Sequence, residues 1–224
     1  MQHDVVHALR ELLGADAVRD SLFDRLAVAR DASLYRMVPY VVVRPSTLDD
    51  IAAIFSVARR FRTHCTVRAA GTSLSGQAVN DGILVDIGHG WNGLEVLDGG
   101  ARLRVQPGVT GGRANAALRH IHRRIGPDPA SLLACKIGGI VANNASGMCC
   151  GTAQNSYHTI ESMRFMLANG VVCDTAHPNA QHMLASAAPD IVQQLLSLRD
   201  TIRADADLVG RIRRKYRIKN TVGY

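Results

Sequence analysis

Residues 68–77, with the sequence RAAGTSLSGQ, have the composition of a loop that binds phosphate. A diphosphate needs several donors converging from backbone that can approach it closely, and glycine permits both that approach and a positive φ. The hydroxyls of Thr72, Ser73 and Ser75 add donors without bulk. The segment is neither a Walker loop nor a G-x-G-x-x-G fingerprint. An ordinary turn of small residues is the alternative that this segment alone leaves open.

A second segment, residues 127–152, is rich in small residues and side-chain amides and carries almost no charge. Its centre, residues 135–147, reads CKIGGIVANNASG. That composition suits a backbone wall lying against a flat ring system, whose heteroatoms need amide donors and acceptors. A long Gly/Asn loop without a ligand is the alternative. Structureless loops of this length inside a compact domain are usually functional, which favours a binding site.

The elements that would position these segments can be predicted from hydrophobic patterning. The first thirty-odd residues are predicted to be helical and amphipathic, and a regular βα alternation begins at Pro39. Strands are predicted at residues 40–43, 65–68 and 83–87 and around Leu103 and Val105, so the first loop directly follows a strand. Helices are predicted after Thr47, after Thr110 and from Pro189, with cap residues at the first of them. Asn169-Gly170 between two apolar runs predicts a hairpin.

Composition excludes several classes of protein. The chain has 224 residues, 47% hydrophobic and 20% charged, and no apolar run approaches the roughly 18 residues that span a bilayer. No secretory signal is evident, and the five scattered cysteines predict no disulfide framework, so we expect a cytoplasmic protein. His120 and His122 are poorly spaced for zinc, and no metal site is expected. Much of the net charge of +7 lies at residues 211–219, where Tyr216 is the one aromatic residue, fewer than a stacking platform for nucleic acid needs.

Several motifs together resemble the FAD-binding domain of the vanillyl-alcohol oxidase / p-cresol methylhydroxylase (PCMH) superfamily. Within it the chain is similar to the D-lactate, glycolate and D-2-hydroxyglutarate dehydrogenase branch. The motifs are Asp31-Ala32-Ser33-x-Tyr35, Val43-x-Pro45, Arg68-x-x-Gly71-Thr72-Ser73-Leu74-Ser75-Gly76, Gly126-Pro127-Asp128-Pro129, Cys135-x-Ile137-Gly138-Gly139, Asn144-Ala145-x-Gly147, Ala168-Asn169-Gly170 and Lys219-Asn220-Thr221-x-Gly223-Tyr224. The resemblance covers roughly residues 31–224. It implies an α+β fold: a PCMH-type FAD-binding domain of two α/β subdomains at residues 39–224, preceded by a helical segment at residues 1–38.

The resemblance also assigns site residues. It implies that a pyrophosphate is cradled, mainly by backbone N–H groups, by Ala70, Gly71, Thr72, Ser73, Leu74 and Ser75. It implies that the flavin and its ribityl chain are lined by Asp128, Ile137, Gly138, Gly139, Asn144 and Gly147. Some relatives attach the cofactor through a histidine just after the loop glycines, and Thr72 holds that position here, so FAD is expected to be non-covalent. Ile140 and Ser146 depart from the residues common in relatives.

The resemblance further implies an oxidoreductase that transfers the C2 hydrogen of a D-2-hydroxy acid to the flavin. In the family the catalytic residues belong mostly to later portions, so no catalytic residue is assigned here. The chain is expected to be a truncated gene product, a fragment or half of a split protein that lacks the carboxyl-terminal part of the FAD domain and the cap domain, and to be inactive alone. Residues 151–159 resemble large members with a carboxyl-terminal iron–sulfur region, so such a region or a complementing chain is a possible partner. The rival interpretation is a non-catalytic module that binds a nucleotide or a partner through its basic end.

Overall fold

The computed structural model describes residues 2–218 as a mixture of helices and short strands. The motif at residues 219–224 lies outside the described residues. In chain order the helices are α1 (Gln2–Leu13), α2 (Leu22–Ala27), α3 (Leu48–Arg60), α4 (Gly111–Leu118), α5 (Ile137–Ala142), α6 (Ser156–Thr159), α7 (Ala180–Ala187), α8 (Pro189–Ala204) and α9 (Ala206–Lys215). The strands are β1 (Val18–Arg19), β2 (Val41–Val43), β3 (Cys65–Arg68), β4 (Ile83–Asp86), β5 (Leu94–Leu97), β6 (Arg102–Val105), β7 (Arg164–Met166) and β8 (Val172–Asp174).

A four-stranded sheet with the order β1-β2-β4-β3 forms the centre of the fold. Strands β2, β4 and β3 run parallel, and β1 pairs antiparallel with β2. Every residue of β2 and β4 is buried, as expected for parallel strands covered on both faces. Parallel strands end at the same edge of a sheet, so the loops that follow β2, β3 and β4 begin close together.

Helices α1 and α3 complete the core beside this sheet. Val5 and Leu9 of α1 and Ile54 of α3 are buried in the same apolar cluster as β2 and β4. Helix α3 begins with a capping box, in which Thr47 and Asp50 exchange side-chain-to-backbone hydrogen bonds. The amino-terminal residues therefore share a core with the sheet, and β1 interrupts the helical segment predicted there.

Two antiparallel hairpins, β5–β6 and β7–β8, lie outside the main sheet. The β7–β8 hairpin confirms the prediction made from Asn169-Gly170. Gly170 has a φ of 90°, and the Asn169 side-chain oxygen accepts a hydrogen bond from the Val171 N–H at 3.1 Å. Both features belong to a tight turn whose residues tolerate left-handed backbone.

Helices α7, α8 and α9 pack mainly against one another and contain no fully buried residue. Among residues 2–218, no helix combines the length and apolar character needed to cross a bilayer. The same part of the chain contains no group of three or more His, Cys, Asp or Glu side chains placed to hold a metal ion. All five cysteines are free thiols.

Candidate functional site

The first predicted loop, residues 69–77, leaves the carboxyl end of β3 and is called the phosphate loop below. Gly71 and Gly76 adopt positive φ values of 68° and 75°. In the described part of the chain, no hydrogen bond uses the backbone N–H of Ala70, Gly71, Thr72, Ser73 or Leu74. Successive unpaired N–H groups in a loop with glycines at positive φ are the arrangement that binds anions.

Arg68 lies directly beneath the phosphate loop. A Cβ atom added at Gly71 would lie 2.2 Å from the Arg68 Nη2 atom, so any side chain there would displace the guanidinium. Burial lowers the pKa of Arg68, while the charges of Asp86 and Asp31 act in the opposite direction. The Arg68 guanidinium nevertheless remains protonated at neutral pH, because the ordinary pKa of arginine lies far above 7. The loop therefore rests on a fixed positive charge.

Further charges collect at the carboxyl ends of the parallel strands. Asp86, at the end of β4, is only 6% exposed; its Oδ2 atom lies 3.3 Å from the Arg44 Nε atom and 3.2 Å from the His89 Nε2 atom. Lys136, from the second segment, donates a hydrogen bond to the Gly88 carbonyl. Cations outnumber carboxylates here, which leaves positive potential next to the phosphate loop.

The start of α5 lies against the phosphate loop. The N–H groups of Ile137 and Gly138 donate to the carbonyls of Val109 and Pro107, at 2.8 and 3.0 Å. A Cβ atom at Gly138 would lie 2.7 Å from Pro107, and one at Gly139 would lie 3.8 Å from the Ala69 Cβ atom. The two glycines thus permit close approach on both sides of α5.

A side-chain contact also joins the two predicted segments. The Gln77 Nε2 atom lies 3.5 Å from the Asn143 Oδ1 atom, just beyond the end of α5. The structure therefore brings the phosphate loop together with Ile137, Gly138 and Gly139, as the sequence analysis requires of one binding site.

Asp128 uses its carboxylate within the protein. The N–H groups of Cys149 and Cys150 donate to it at 3.1 Å each. Burial acts to raise the pKa of Asp128, but hydrogen bonds from Cys150 and Cys149 outweigh it and lower the pKa to about 2. A Cβ atom at Gly147 would lie 1.8 Å from the Asp128 carbonyl oxygen. Asp128 and Gly147 are therefore neighbours, and together they fix the turn at residues 147–150.

Asn144 and Ser146 lie between α5 and that turn. Asn144 adopts a φ of 44°, and its Oδ1 atom accepts a hydrogen bond from the Tyr157 N–H at 3.1 Å. The Ser146 hydroxyl is buried and has no hydrogen-bond partner within the described residues. The backbone here is set by local hydrogen bonds rather than by a regular element.

The sequence did not predict that Asp86 and Lys136 support the site. Lys136 gave a usable signal, since it is a single charge inside a run of small residues. Asp86 gave a weaker one as an acid closing an apolar strand. Both become informative only when the order of the strands is known.

Residues 39–176 match the family described as FAD binding domain. The chain belongs to this FAD-binding domain family. The phosphate loop, the glycines of α5 and the turn held by Asp128 all fall inside the matched region. Amides left unpaired in the described chain, above the half-buried Arg68, fit a diphosphate, so the residues present are suited to the dinucleotide that the family binds.

Two curated relatives extend the comparison. The chain is 39% identical over 120 residues to glycolate oxidase subunit GlcD of Escherichia coli (strain K12), which covers 53% of this chain and 24% of the relative. It is 30% identical over 168 residues to D-2-hydroxyglutarate dehydrogenase of Haemophilus influenzae, covering 72% of this chain and 16% of the relative. The chain therefore spans a quarter or less of the length of these relatives.

Solved structures share the fold at low sequence identity. The FAD-binding domain superposes on substrate-bound p-cresol methylhydroxylase with a TM-score of 0.65 and 16% identity, covering 80% of this chain and 37% of that one. On glucooligosaccharide oxidase from Acremonium strictum the TM-score is 0.61 at 20% identity, covering 75% and 36%. These similarities confirm the predicted PCMH-type FAD-binding fold.

Proposed function

We propose that this chain is the FAD-binding part of a flavoprotein oxidoreductase that oxidises a D-2-hydroxy acid, of the lactate or 2-hydroxyglutarate type. The observation that carries the proposal is the phosphate loop, whose unpaired amides lie above Arg68 inside a region matching FAD-binding domains. The relatives named for glycolate and D-2-hydroxyglutarate support the substrate class. Both substrates are small 2-hydroxy carboxylates.

In this proposal the two segments divide the cofactor between them. The diphosphate is bound by the backbone N–H groups of residues 70–74, while the N–H of Ser75 donates to the Ser73 hydroxyl at 3.1 Å. The flavin and ribityl chain lie along Ile137, Gly138, Gly139, Asn144 and Gly147. Asp128 shapes this wall through the turn that it holds, since its carboxylate already accepts two amides. The side chains of Leu74 and Met148 are 80% and 96% exposed and offer apolar surface to a flat ring system.

FAD is held non-covalently in this proposal. Thr72 stands where histidine attaches the flavin in some members of the superfamily, and a threonine hydroxyl is a poor nucleophile without an activating base. Covalent attachment does occur on this fold, since glucooligosaccharide oxidase carries a 6-S-cysteinyl, 8α-N1-histidyl FAD. Acid denaturation of the loaded protein separates the two cases, since a non-covalent flavin leaves with the supernatant.

When bound, FAD supplies the acceptor for the hydride equivalent that leaves the substrate C2 atom. The reaction also needs a base and a carboxylate clamp that hold the substrate about 3–3.5 Å from the acceptor. In the two described loops the charged side chains Asp128 and Lys136 bond to the protein itself. We therefore propose that the 224-residue chain alone does not turn over a 2-hydroxy acid. The cytoplasmic location is likewise proposed, from the five unpaired cysteines.

Reconstitution of the purified chain with FAD tests the proposal. We expect a flavin absorbance band that co-elutes with the protein and is released intact by acid. Dye reduction should be absent with D-lactate and D-2-hydroxyglutarate for this chain, and present for a longer protein that contains it. A chain that binds no FAD would favour the non-catalytic module, and saturable, stereospecific turnover by the chain alone would place catalytic groups within residues 1–224.

A further inference from the structure

Residues 28–35 contact the phosphate loop, although they precede the region that matches the family. The Arg68 guanidinium donates to the carbonyl of Arg30 at 2.9 Å and to that of Val28 at 3.3 Å. The Asp31 Oδ2 atom accepts a hydrogen bond from the Ala78 N–H at 3.3 Å. This segment, residues 28–35, is called the amino-terminal clamp below.

The clamp acts at the two ends of the phosphate loop. Arg68 immediately precedes the loop and Ala78 immediately follows it, and the Arg68 Nη1 atom donates to the Ala78 carbonyl at 2.9 Å. Ala78 is therefore held by Arg68 through its carbonyl and by Asp31 through its N–H. These bonds close the loop at its base without using any of its free amides.

Asp31 is itself held in place. Its Oδ1 atom accepts hydrogen bonds from the N–H of Ser33, at 2.9 Å, and from the Ser33 hydroxyl. Burial acts to raise the pKa of Asp31, but the bonds from Ser33 and Ala78 and the charge of Arg68 outweigh it, so the pKa lies below its ordinary value. The carboxylate is therefore charged at neutral pH.

Tyr35 extends the clamp to the far end of the loop. A Cβ atom at Gly76 would lie 2.5 Å from the Tyr35 Cδ2 atom, so the ring packs directly on that glycine. The backbone of the clamp is closed by an isolated antiparallel β-bridge between Arg30 and Arg36. A hydrogen bond from the Met37 N–H to the Ala29 carbonyl, at 3.0 Å, adds to it. The loop is thus bounded at both ends by one compact turn.

We propose that the amino-terminal clamp is part of the dinucleotide site, with Arg68 and Asp31 as positioning residues that hold the phosphate loop in its binding conformation. A loop without regular structure would otherwise lose conformational entropy when it meets the diphosphate, and ordering it beforehand removes that cost from binding. The inference rests on the proposed function, because it assumes that the loop binds the diphosphate of FAD.

Two variants test the clamp, with one matched control. Asp31→Asn removes the charge at constant size. Arg68→Lys keeps the positive charge, but one ammonium cannot replace the guanidinium that donates to three carbonyls. Asp81→Asn is the control, since the Asp81 carboxylate bonds to the His64 side chain at the amino ends of β3 and β4, away from the phosphate loop.

The first measurement is made without ligand, by NMR relaxation of the amides. We expect order parameters near 0.85 for residues 70–77 in the wild type and below about 0.6 in both variants, with β4 and the control unchanged. The second measurement is affinity. Both variants should weaken FAD and ADP by at least about tenfold and leave riboflavin, which has no phosphate, unchanged.

Unchanged loop order in both variants would overturn the clamp, and so would wild-type FAD affinity in Arg68→Lys. A loss of order that extends through β4 would overturn it too, since the residues would then stabilise the whole sheet. A wild-type chain that binds no FAD refutes the proposed function instead, while the order parameters still decide whether the clamp orders the loop.

Discussion

At the scale of single residues, Gly71 is under two separate constraints. Its φ of 68° disfavours any side chain, and a Cβ atom there would meet Arg68 at 2.2 Å. We expect Gly71→Val to weaken FAD binding by at least about tenfold, roughly 1.4 kcal/mol, because both the loop backbone and its support must move. Titration of flavin fluorescence measures the change.

Gly99→Val is the matched control for Gly71. Gly99 has a similar φ of 61° in the turn between β5 and β6, but no atom lies within 4 Å of its Cβ position. The control should lose stability through backbone strain alone and keep its FAD affinity. Equal affinity of Gly71→Val and the wild type would mean that the loop is an ordinary turn.

Two buried serines give opposite predictions for stability. The Ser146 hydroxyl has no partner in the described chain, whereas that of Ser156 donates to the Ile140 carbonyl at 3.4 Å. A buried polar group without a hydrogen bond costs about 1–3 kcal/mol. We therefore expect Ser146→Ala to raise the free energy of unfolding by about 1 kcal/mol and Ser156→Ala to lower it by about 1 kcal/mol. Urea denaturation of the ligand-free chain compares them, and destabilisation by Ser146→Ala would reveal a partner for that hydroxyl.

At the scale of elements, the turn at residues 147–150 depends on the charge of Asp128. The folded-state pKa of about 2 lies below the unfolded value near 3.9, so the carboxylate stabilises the folded chain above about pH 4. That contribution is lost as the pH falls from about 4 to about 2. We expect Asp128→Asn to be less stable than the wild type at pH 6, with a difference that shrinks over this range.

Cys149→Ala is the control for the acid measurement. The substitution keeps the backbone N–H that donates to Asp128 and removes only the smaller influence of the thiol. Its stability should therefore keep the pH dependence of the wild type in denaturation curves recorded between pH 2 and pH 6. A pH-independent difference between Asp128→Asn and the wild type would show that the carboxylate charge does not hold the turn.

The elements differ in how far the sequence predicts them. Helix α3 and the β7–β8 hairpin were predicted because cap residues and Asn169-Gly170 determine them locally. Helix α5 was not, since its two glycines disfavour helix and its first N–H groups bond to Val109 and Pro107. Strand β1 was also not predicted. Its two residues are too few to show a hydrophobic pattern, and the strand is defined by its pairing with β2.

The site shows the same division. The phosphate loop could be predicted from its glycines and hydroxyls, because those residue types are required wherever backbone meets phosphate. The roles of Arg68 and Asp31 could not, since Asp31 reaches Ala78 across 47 residues of chain. Which of the twelve proposed cofactor residues touch FAD stays a prediction, and a structure with FAD bound would test it.

At the scale of the whole molecule, FAD binding should appear as stability. A ligand that binds only the folded state adds about 2.7 kcal/mol at a concentration one hundred times its dissociation constant. We expect FAD to raise the melting temperature of the chain, with riboflavin giving a much smaller effect because it cannot use the phosphate loop. Differential scanning fluorimetry with both ligands measures the shifts, and equal shifts would argue against a diphosphate site.

Strand β1 has a consequence for any attempt to shorten the chain to the matched region. It occupies one edge of the sheet, so a chain starting at residue 39 would leave β2 with unpaired N–H and C=O groups at Val42 and Val43. An apolar edge strand exposed in this way is a template for pairing with other copies. We expect such a shortened chain to self-associate through β2. In the longer chain the two residues of β1 prevent this by covering that edge.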